Sequence, residues 1–425
     1  MSDSRPLGED EQLFHGLHKV GALVPLQVLH IRGEVPEAAL RQALDDLQRR
    51  HPLLRAHIRY GRPVLRSVPP FFYRQPRFET EGTSRIPLRI VEGAWGDVLA
   101  AEARQPLLRD NSPRLRVTLV RDPATAGVVH LILCADHATI DAPSIANASR
   151  HLMEQLAGLE SGPAPTVQTL PPALEERFPA KSDSGRAYQS SIRLPNRRVR
   201  GAVATRVISR TIDAATTTRL KAAAKARGAT LHGAVSAAFL LAIGDSYGLD
   251  ELTFLSTLDL RRLCQPPLSA DTHGCYVDII RTRHKLAGGL WGVARDVAFR
   301  LVSTVARDHK VASILKVPSW SRYRTEAWPT LTHRRRLDCL TVTTAGESGL
   351  GRSYGALVLE DVTMAVSLDF FGPSMMAIAS ERDGALDLCV NFSTRILTPE
   401  DVAAITDVAV ARLVDGAEGA TRSAA

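Results

Sequence analysis

Hydrophobic and polar residues along the first part of the chain are spaced as in alternating strands and helices. Pro25–Arg32 has the length and apolar content of a strand, and apolar side chains recur at helical spacing after Pro36. Leu115–Val120 and Val128–Ala135 are two further strand-like runs, and the second is apolar enough to be buried on both faces. A helix is expected to begin at Pro143, because proline is tolerated in the first turn of a helix.

The composition changes between residues 161 and 200. This stretch is rich in proline, glycine and serine, as interdomain segments usually are. A chain of 425 residues is also long enough for two domains. We therefore predict an N-terminal subdomain at residues 1–160, a linker at 161–200 and a C-terminal subdomain at 201–425.

The C-terminal part also mixes helices and strands. A strand-like run at residues 204–212 precedes helices at Ala214–Arg227 and Leu231–Ile243, and the second helix is apolar nearly all round, as buried helices are. A last helix is expected from Pro399, with Thr398 as its N-cap. Seven strands are predicted between these helices, at Leu252–Thr257, Tyr276–Arg283, Cys339–Thr344, Ala356–Val362, Met364–Phe370, Met375–Ser380 and Leu386–Phe392. The whole pattern predicts a mixed α+β fold.

Composition places the chain among soluble globular proteins, since 44% of its residues are hydrophobic and 23% are charged. No apolar run reaches the length needed to span a bilayer, and the N-terminus lacks the basic and apolar regions of a secretory signal. The five cysteines are widely spaced without a CxxC pair, which favours reduced thiols and a cytoplasmic location. No histidine or cysteine cluster has the spacing of zinc ligands, so we expect no bound metal.

The net charge of +8 raises the question of an acidic partner. Arginines cluster at Arg193–Arg200 and at Arg334–Arg336, and no aromatic stripe accompanies them. We therefore expect no nucleic-acid binding. A solvated basic face remains one interpretation, and docking of an acidic carrier protein or a phosphate-bearing cofactor is the other.

One histidine stands where a predicted strand ends and a helix begins. His137 and Asp141 form an HxxxD pair at this junction, where side chains can reach a cleft at the sheet edge. A neutral imidazole there could remove a proton from a weak nucleophile such as a hydroxyl. With 13 histidines, about one such pair is expected by chance. The alternative is therefore a hydrogen-bonded core histidine followed by an aspartate that caps the helix.

Four segments of the sequence resemble those of a known superfamily. Cys134–Ala142 (CADHATIDA) resembles the HHxxxDG signature of the condensation domains of nonribosomal peptide synthetases and of the polyketide-associated acyltransferases. Three other segments are similar to further elements of the same group, in the expected order. They are Arg50–Arg55 (RHPLLR), Leu258–Leu263 (LDLRRL) together with Gly274–Tyr276 (GCY), and Tyr354–Val362 (YGALVLEDV). The length and the last element most resemble the polyketide-associated group, which is typified by phthiocerol dimycocerosyl transferase.

The resemblance implies a fold and a site. It implies two chloramphenicol-acetyltransferase-like subdomains in a V-shaped pseudo-dimer, with the active-site channel between them. His137 matches the catalytic second histidine of the signature, and Asp141 matches the structural aspartate that pairs with an arginine. Arg261 is the first choice for that arginine and Arg55 the second.

Two positions depart from the signature. Asp136 replaces the first histidine, and we expect it to point away from the site because neighbouring strand residues face opposite sides. If the chain turns sharply there, its charge would instead raise the pKa of His137. Ala142 replaces the final glycine but is still small. The oxyanion donors could be the Ala142 N–H and the hydroxyls of Thr343 and Thr344, although both threonines also fit buried strand positions.

The resemblance implies an acyltransferase that moves an acyl group from a thioester to a hydroxyl of a secondary-metabolite or lipid acceptor. The thioester would be borne by an acyl carrier protein or by coenzyme A, with no permanently bound cofactor, and we expect a monomer. The sequence contains no GxSxG elbow, Walker A loop or GxGxxG fingerprint, so direct transfer is the expected mechanism. Two alternatives stay open: an amide-forming condensation enzyme, and a non-catalytic module that docks carrier proteins.

Overall fold

The computed structural model describes residues 3–60, 76–107, 111–159, 169–177, 203–307, 338–370 and 372–422. Apart from residues 169–177, the predicted linker lies outside the described residues. The two arginine clusters, at 193–200 and 334–336, also lie outside them.

Strands and helices alternate along the first part of the chain, as the pattern predicts. In order they are β1 (Ser4–Pro6), α1 (Glu9–Lys19), β2 (Pro25–Arg32), α2 (Glu37–Arg50), β3 (His57–Arg59), β4 (Arg77–Glu79), β5 (Leu88–Glu92), α3 (Trp95–Glu102), β6 (Leu115–Arg121), β7 (Val128–Ala135), α4 (Ala142–Leu156) and α5 (Leu174–Arg177). The bounds predicted for β2 and β7 agree with the structure.

The second part of the chain contributes the remaining elements. They are β8 (Thr205–Ile212), α6 (Ala214–Ala226), α7 (Leu231–Tyr247), β9 (Glu251–Asp259), β10 (Val277–Lys285), α8 (Gly289–Arg307), β11 (Leu340–Glu347), β12 (Ser353–Tyr354), β13 (Leu357–Val366), β14 (Met375–Arg382), β15 (Ala385–Ser393) and α9 (Pro399–Arg422). The hydroxyl of Thr398 accepts a hydrogen bond from the Asp401 N–H, so the predicted N-cap of α9 is present.

Two six-stranded sheets organise these elements. The first has the order β12-β13-β2-β7-β6-β5, and the second has the order β10-β9-β11-β14-β15-β8. A small sheet, β1-β4-β3, joins the N-terminal strand to the segment after α2. The fold is therefore mixed α+β with two sheet-rich halves, as predicted.

The central strand β7 is covered on both faces, as its apolar sequence predicts. Leu131 and Leu133 pack with α2 and α4 on one side, while Ile132 and Cys134 pack with α3 on the other. The strand β7 ends at Ala135. The chain turns there into the 136–141 loop, which leads to α4.

Helix α7 is the buried helix of the second half, with apolar residues on all sides. A Cβ atom on Gly233 would lie 2.6 Å from the Ala294 carbonyl oxygen, so glycine allows α7 and α8 to approach closely. Among the described residues, no single helix has the length and apolar character needed to cross a bilayer. Helices α6 and α7 meet those criteria only when taken together, and they join at a 97° bend.

Strand β13 corrects two predictions. The runs Ala356–Val362 and Met364–Phe370 were expected to form separate strands, but they form one strand, Leu357–Val366, with an irregularity between Leu359 and Asp361. The polar residue between the runs, Thr363, is buried and hydrogen-bonded to His30, so the strand continues through it.

The same strand joins the two halves. It lies in the second half of the sequence but pairs with β2 in the first sheet. Its N–H groups also reach the second sheet, where Met364 donates to the Cys389 sulfur and Val366 donates to the Asn391 side chain. The predicted boundary at residues 161–200 therefore does not coincide with the boundary between the sheets.

Two helices were not predicted from the sequence. Helix α1 begins at Glu9, and the Glu11 carboxylate caps it by accepting from the Gly8 N–H at 2.7 Å. Helix α8 begins at the second of two consecutive glycines, Gly289, and packs against α7. Helix α1 has the greater bearing on the site, because it packs against the 136–141 loop.

Candidate active site

His137 lies in the turn directly after β7 and is partly exposed. The Phe14 ring from α1 stacks on its imidazole, with ring centroids 4.3 Å apart and planes 20° apart. The Cys275 sulfur lies 3.8 Å from its Nδ1 atom. Three segments distant in sequence therefore meet at this side chain: α1, the 136–141 loop and the 272–276 segment that precedes β10.

Burial lowers the pKa of His137 below its ordinary value of 6.5, because a charged imidazole is poorly solvated there. The carbonyls of His137 and Ile140 and the charges of Asp141 and Asp136 oppose this effect without cancelling it. The imidazole is consequently neutral at neutral pH. A neutral ring is the form that can accept a proton.

Asp141 is buried and stabilises the start of α4. Its Oδ1 atom accepts hydrogen bonds from the N–H of Ser144 at 3.0 Å and from the Ser144 hydroxyl at 2.7 Å. Its Oδ2 atom accepts from the Tyr276 N–H at 3.0 Å. Although burial raises the pKa of Asp141, Arg261 and these hydrogen bonds outweigh that effect and hold the pKa below its usual value.

Arg261 is the arginine that pairs with Asp141. Arg55, the second candidate for this pairing, lies in the 3₁₀ turn after α2. The guanidinium is buried and donates to Asp141 at 2.8 Å and to the half-exposed Asp259 at 3.0 Å. It also donates to the Thr272 carbonyl. Although burial lowers the pKa of Arg261, the charges and hydrogen bonds of Asp141 and Asp259 together outweigh that effect and raise it, so the pair stays ionised.

The 272–276 segment is fixed to the start of α4 by further hydrogen bonds. Gly274 donates its N–H to the Ser144 hydroxyl, and that hydroxyl lies 3.0 Å from the Gly274 carbonyl. A Cβ atom at Gly274 would come within 2.6 Å of the Tyr276 ring. The second half of the chain thus holds the helix that follows His137, and the site is formed by both halves.

Asp136 follows the first of its two expected orientations. Its side chain is fully buried and points to α1, where it contacts His15. The negative charge of Asp136 does act to raise the pKa of His137, as the second alternative expected. The effect of burial is larger, so the pKa of His137 is lowered.

The three residues considered as oxyanion donors have different surroundings. Ala142 is the first residue of α4 and lines a narrow crevice between the two sheets, together with Ala345. The Thr344 hydroxyl bonds to His232 at 2.8 Å. Thr343 accepts a hydrogen bond from the Thr257 hydroxyl at 2.9 Å, which leaves its own O–H free to donate elsewhere.

Phe14, His15 and Cys275 are site residues that sequence reasoning missed. The sequence around Cys275 was noted only for its resemblance to a family element. The cap of α1 was visible in the sequence, but a helix signal does not tell where the helix packs. Within the described part of the chain, no group of three or more histidines, cysteines and acidic residues is arranged to hold a metal ion.

Comparison with known families gives one match, over residues 201–394. This stretch matches the family model of the phthiocerol/phthiodiolone dimycocerosyl transferase C-terminus. No curated protein matches the chain significantly.

Solved structures are similar over nearly the whole chain. The TRI3 trichothecene 15-O-acetyltransferase from Fusarium sporotrichioides has 13% identity, covers 98% of this chain and 95% of its own, and superposes with a TM-score of 0.70. Polyketide synthase associated protein 5 from Mycobacterium tuberculosis has 16% identity, coverage of 95% and 97%, and a TM-score of 0.65. The EpoB cyclization-docking bidomain from Sorangium cellulosum has 18% identity, coverage of 98% and 85%, and a TM-score of 0.70.

At these identities the structural likeness establishes the fold. The chain has the chloramphenicol-acetyltransferase-like fold shared by polyketide-associated acyltransferases and condensation domains, and its residues 201–394 match the family model of the phthiocerol/phthiodiolone dimycocerosyl transferase C-terminus.

Proposed function

We propose that this acyltransferase-family protein transfers an acyl group from a thioester to a hydroxyl, forming an ester, with His137 as the general base. The observation that carries the proposal is the neutral imidazole of His137 in a loop held by the Asp141–Arg261 pair. A base must be unprotonated at the working pH and held in one orientation. Both requirements are met at this side chain.

The proposed reaction has two proton transfers. A ring nitrogen of His137 takes the acceptor hydroxyl proton while the oxygen attacks the thioester carbonyl. Nε2 is the better candidate, since Nδ1 faces Cys275. The tetrahedral oxyanion would receive hydrogen bonds from the Ala142 N–H and the Thr343 hydroxyl. Its collapse forms the ester and expels a thiolate, which takes the proton back from the imidazolium. The proposed steps use no permanently bound cofactor.

The proposed donor is an acyl group on the phosphopantetheine of a carrier protein or of coenzyme A. The net charge of +8 supports either donor, because an acidic carrier and the phosphates of coenzyme A are both anionic. The proposed acceptor is a hydroxyl of a secondary metabolite or lipid. An amine acceptor uses the same base, so the acceptor class has to be determined by experiment.

The test is acyl transfer followed by intact-mass spectrometry of carriers and products. Purified protein would be offered acyl-coenzyme A and acyl-carrier thioesters with panels of alcohols and amines. His137→Ala should lose transfer while keeping its fold. His57→Ala is the matched control, because His57 lies in β3 and hydrogen-bonds to Thr83, outside the site.

Each result points to one function. Ester product that depends on His137 supports the proposal, and amide product that depends on His137 replaces it with a condensation enzyme. Carrier binding without turnover in the wild type points to the docking module. Full activity in His137→Ala refutes the mechanism.

A further inference from the structure

We infer that a buried pair, His15 and Asp136, positions the general base by fixing α1 so that Phe14 covers one face of His137. The inference rests on the proposed function, because it assigns His137 the role of base. It makes His15, Asp136 and Phe14 positioning residues that act through His137.

Asp136 uses both carboxylate oxygens. Its Oδ1 atom accepts from the Ala138 N–H at 3.1 Å and so shapes the 136–141 loop from within. Its Oδ2 atom lies 2.6 Å from Nδ1 of His15. Because a carboxylate only accepts hydrogen bonds, Nδ1 of His15 carries the proton and donates it. The aspartate thus links the loop to α1.

A histidine at position 136 could not make both contacts. A neutral imidazole has one acceptor nitrogen, whereas a carboxylate has two oxygens that can serve two donors at once. Asp136 is fully buried, and both of these contacts satisfy it. Asp136 stands where the HHxxxDG signature has its first histidine, and its partner is a histidine from α1, His15.

Two consecutive residues of α1 hold two consecutive residues of the loop. Phe14 stacks on His137 while His15 donates to Asp136. Neighbouring helical residues point about 100° apart, so this double contact fixes both the distance and the rotation of α1 relative to the loop. A third contact steadies His15, since its Nε2 atom lies 2.6 Å from the Tyr60 hydroxyl.

The experiment compares His15→Ala, Asp136→Asn and Phe14→Leu in the transfer assay, normalised to folded protein. We expect kcat for His15→Ala and Phe14→Leu to fall about 10- to 100-fold with KM within about twofold, because small misplacement of a catalytic group costs that much. The double variant of His15→Ala and Phe14→Leu should lose no more than the worse single variant, because both changes release α1 from the same loop.

Two variants separate positioning from stability. His15→Asn keeps an N–H donor near Nδ1 and should recover most of the kcat that His15→Ala loses. His30→Ala is the control, because His30 is also a buried histidine but lies in β2, where it contacts His130 and Thr363. Its kcat should stay within about twofold of the wild type. An equal loss in His30→Ala would overturn the inference.

A second measurement needs no turnover. Modification of His137 by diethyl pyrocarbonate, followed by peptide mass mapping, reports how well the ring is covered. His15→Ala should react about tenfold faster than the wild type, because losing a hydrogen bond to a charged group favours local opening. Unchanged reactivity of His137 would overturn the inference even if the protein proved inactive.

Faster modification of His137 in His15→Ala, with no acyl transfer by the wild type, would support the positioning role and refute only the proposed function. If His15→Ala fails to fold, Phe14→Leu gives the same readout.

Discussion

The replacement of Arg261 by methionine tests how the loop after His137 is held. The change removes a guanidinium that is 1% exposed and leaves the carboxylate of Asp141 ionised and buried. Three contacts to Asp141 remain, from the Ser144 N–H, the Ser144 hydroxyl and the Tyr276 N–H, but none of them carries a positive charge. Breaking a buried ion pair from one side costs about 3–5 kcal/mol. Because neither partner is exposed, solvent screening does not reduce this cost.

The measurement is urea unfolding followed by circular dichroism, with linear extrapolation of the free energy of unfolding. Adding Asp141→Asn to Arg261→Met should restore roughly 2–3 kcal/mol, since the unpaired charge is then gone. Arg262→Met is the control, because this neighbouring arginine is exposed and should change the free energy by less than about 0.5 kcal/mol. A loss below about 1 kcal/mol for Arg261→Met would refute the reasoning.

Three further predictions concern groups whose pKa is shifted by their surroundings. Burial lowers the pKa of His151 to about 4 and of His273 to about 3, so the unfolded chain binds protons at higher pH than the folded one. The contribution of these two neutral histidines to the free energy of unfolding should be fully present above about pH 6.5 and decline as the pH falls toward 4. Equal urea midpoints at pH 7 and pH 5 would contradict this. Because burial lowers the pKa of His137, the acidic limb of kcat/KM should lie below pH 6.5, and a limb above it would be inconsistent. Burial raises the pKa of the Cys275 thiol, so native protein should react with iodoacetamide at pH 8 far more slowly than urea-unfolded protein; equal rates would disprove this.

The local structure around the candidate site could be predicted from the sequence because local signals agree there. An apolar run ends at Ala135, and the N-cap Asp141 and the proline at 143 start a helix. Everything between them has to be a loop at a sheet edge, whatever the rest of the fold. The pairing with Arg261 came instead from the resemblance, since residues 120 positions apart carry no local signal of contact.

Other features depend on packing that a single sequence does not show. The contact between His15 and Asp136 spans 121 positions and depends on how α1 docks. Thr343 and Thr344 are adjacent on a strand, so the alternation of side chains could have shown that both hydroxyls would not face the same cleft. The sequence alone predicts a break between strands at Thr363, because its buried partner, His30, lies on another strand.

The path of β13 has a consequence for recombining this protein with its structural relatives. A chimera cut in the 161–200 stretch would take β13 from one parent and β2, its neighbour in the sheet, from the other. Mismatched side chains would then meet along eight paired positions, and a truncated N-terminal fragment would leave β2 as a bare, aggregation-prone edge. A graft that keeps β12 and β13 with residues 1–160 preserves the pairing of β13 with β2. The unit that can be exchanged in such proteins is therefore discontinuous in sequence.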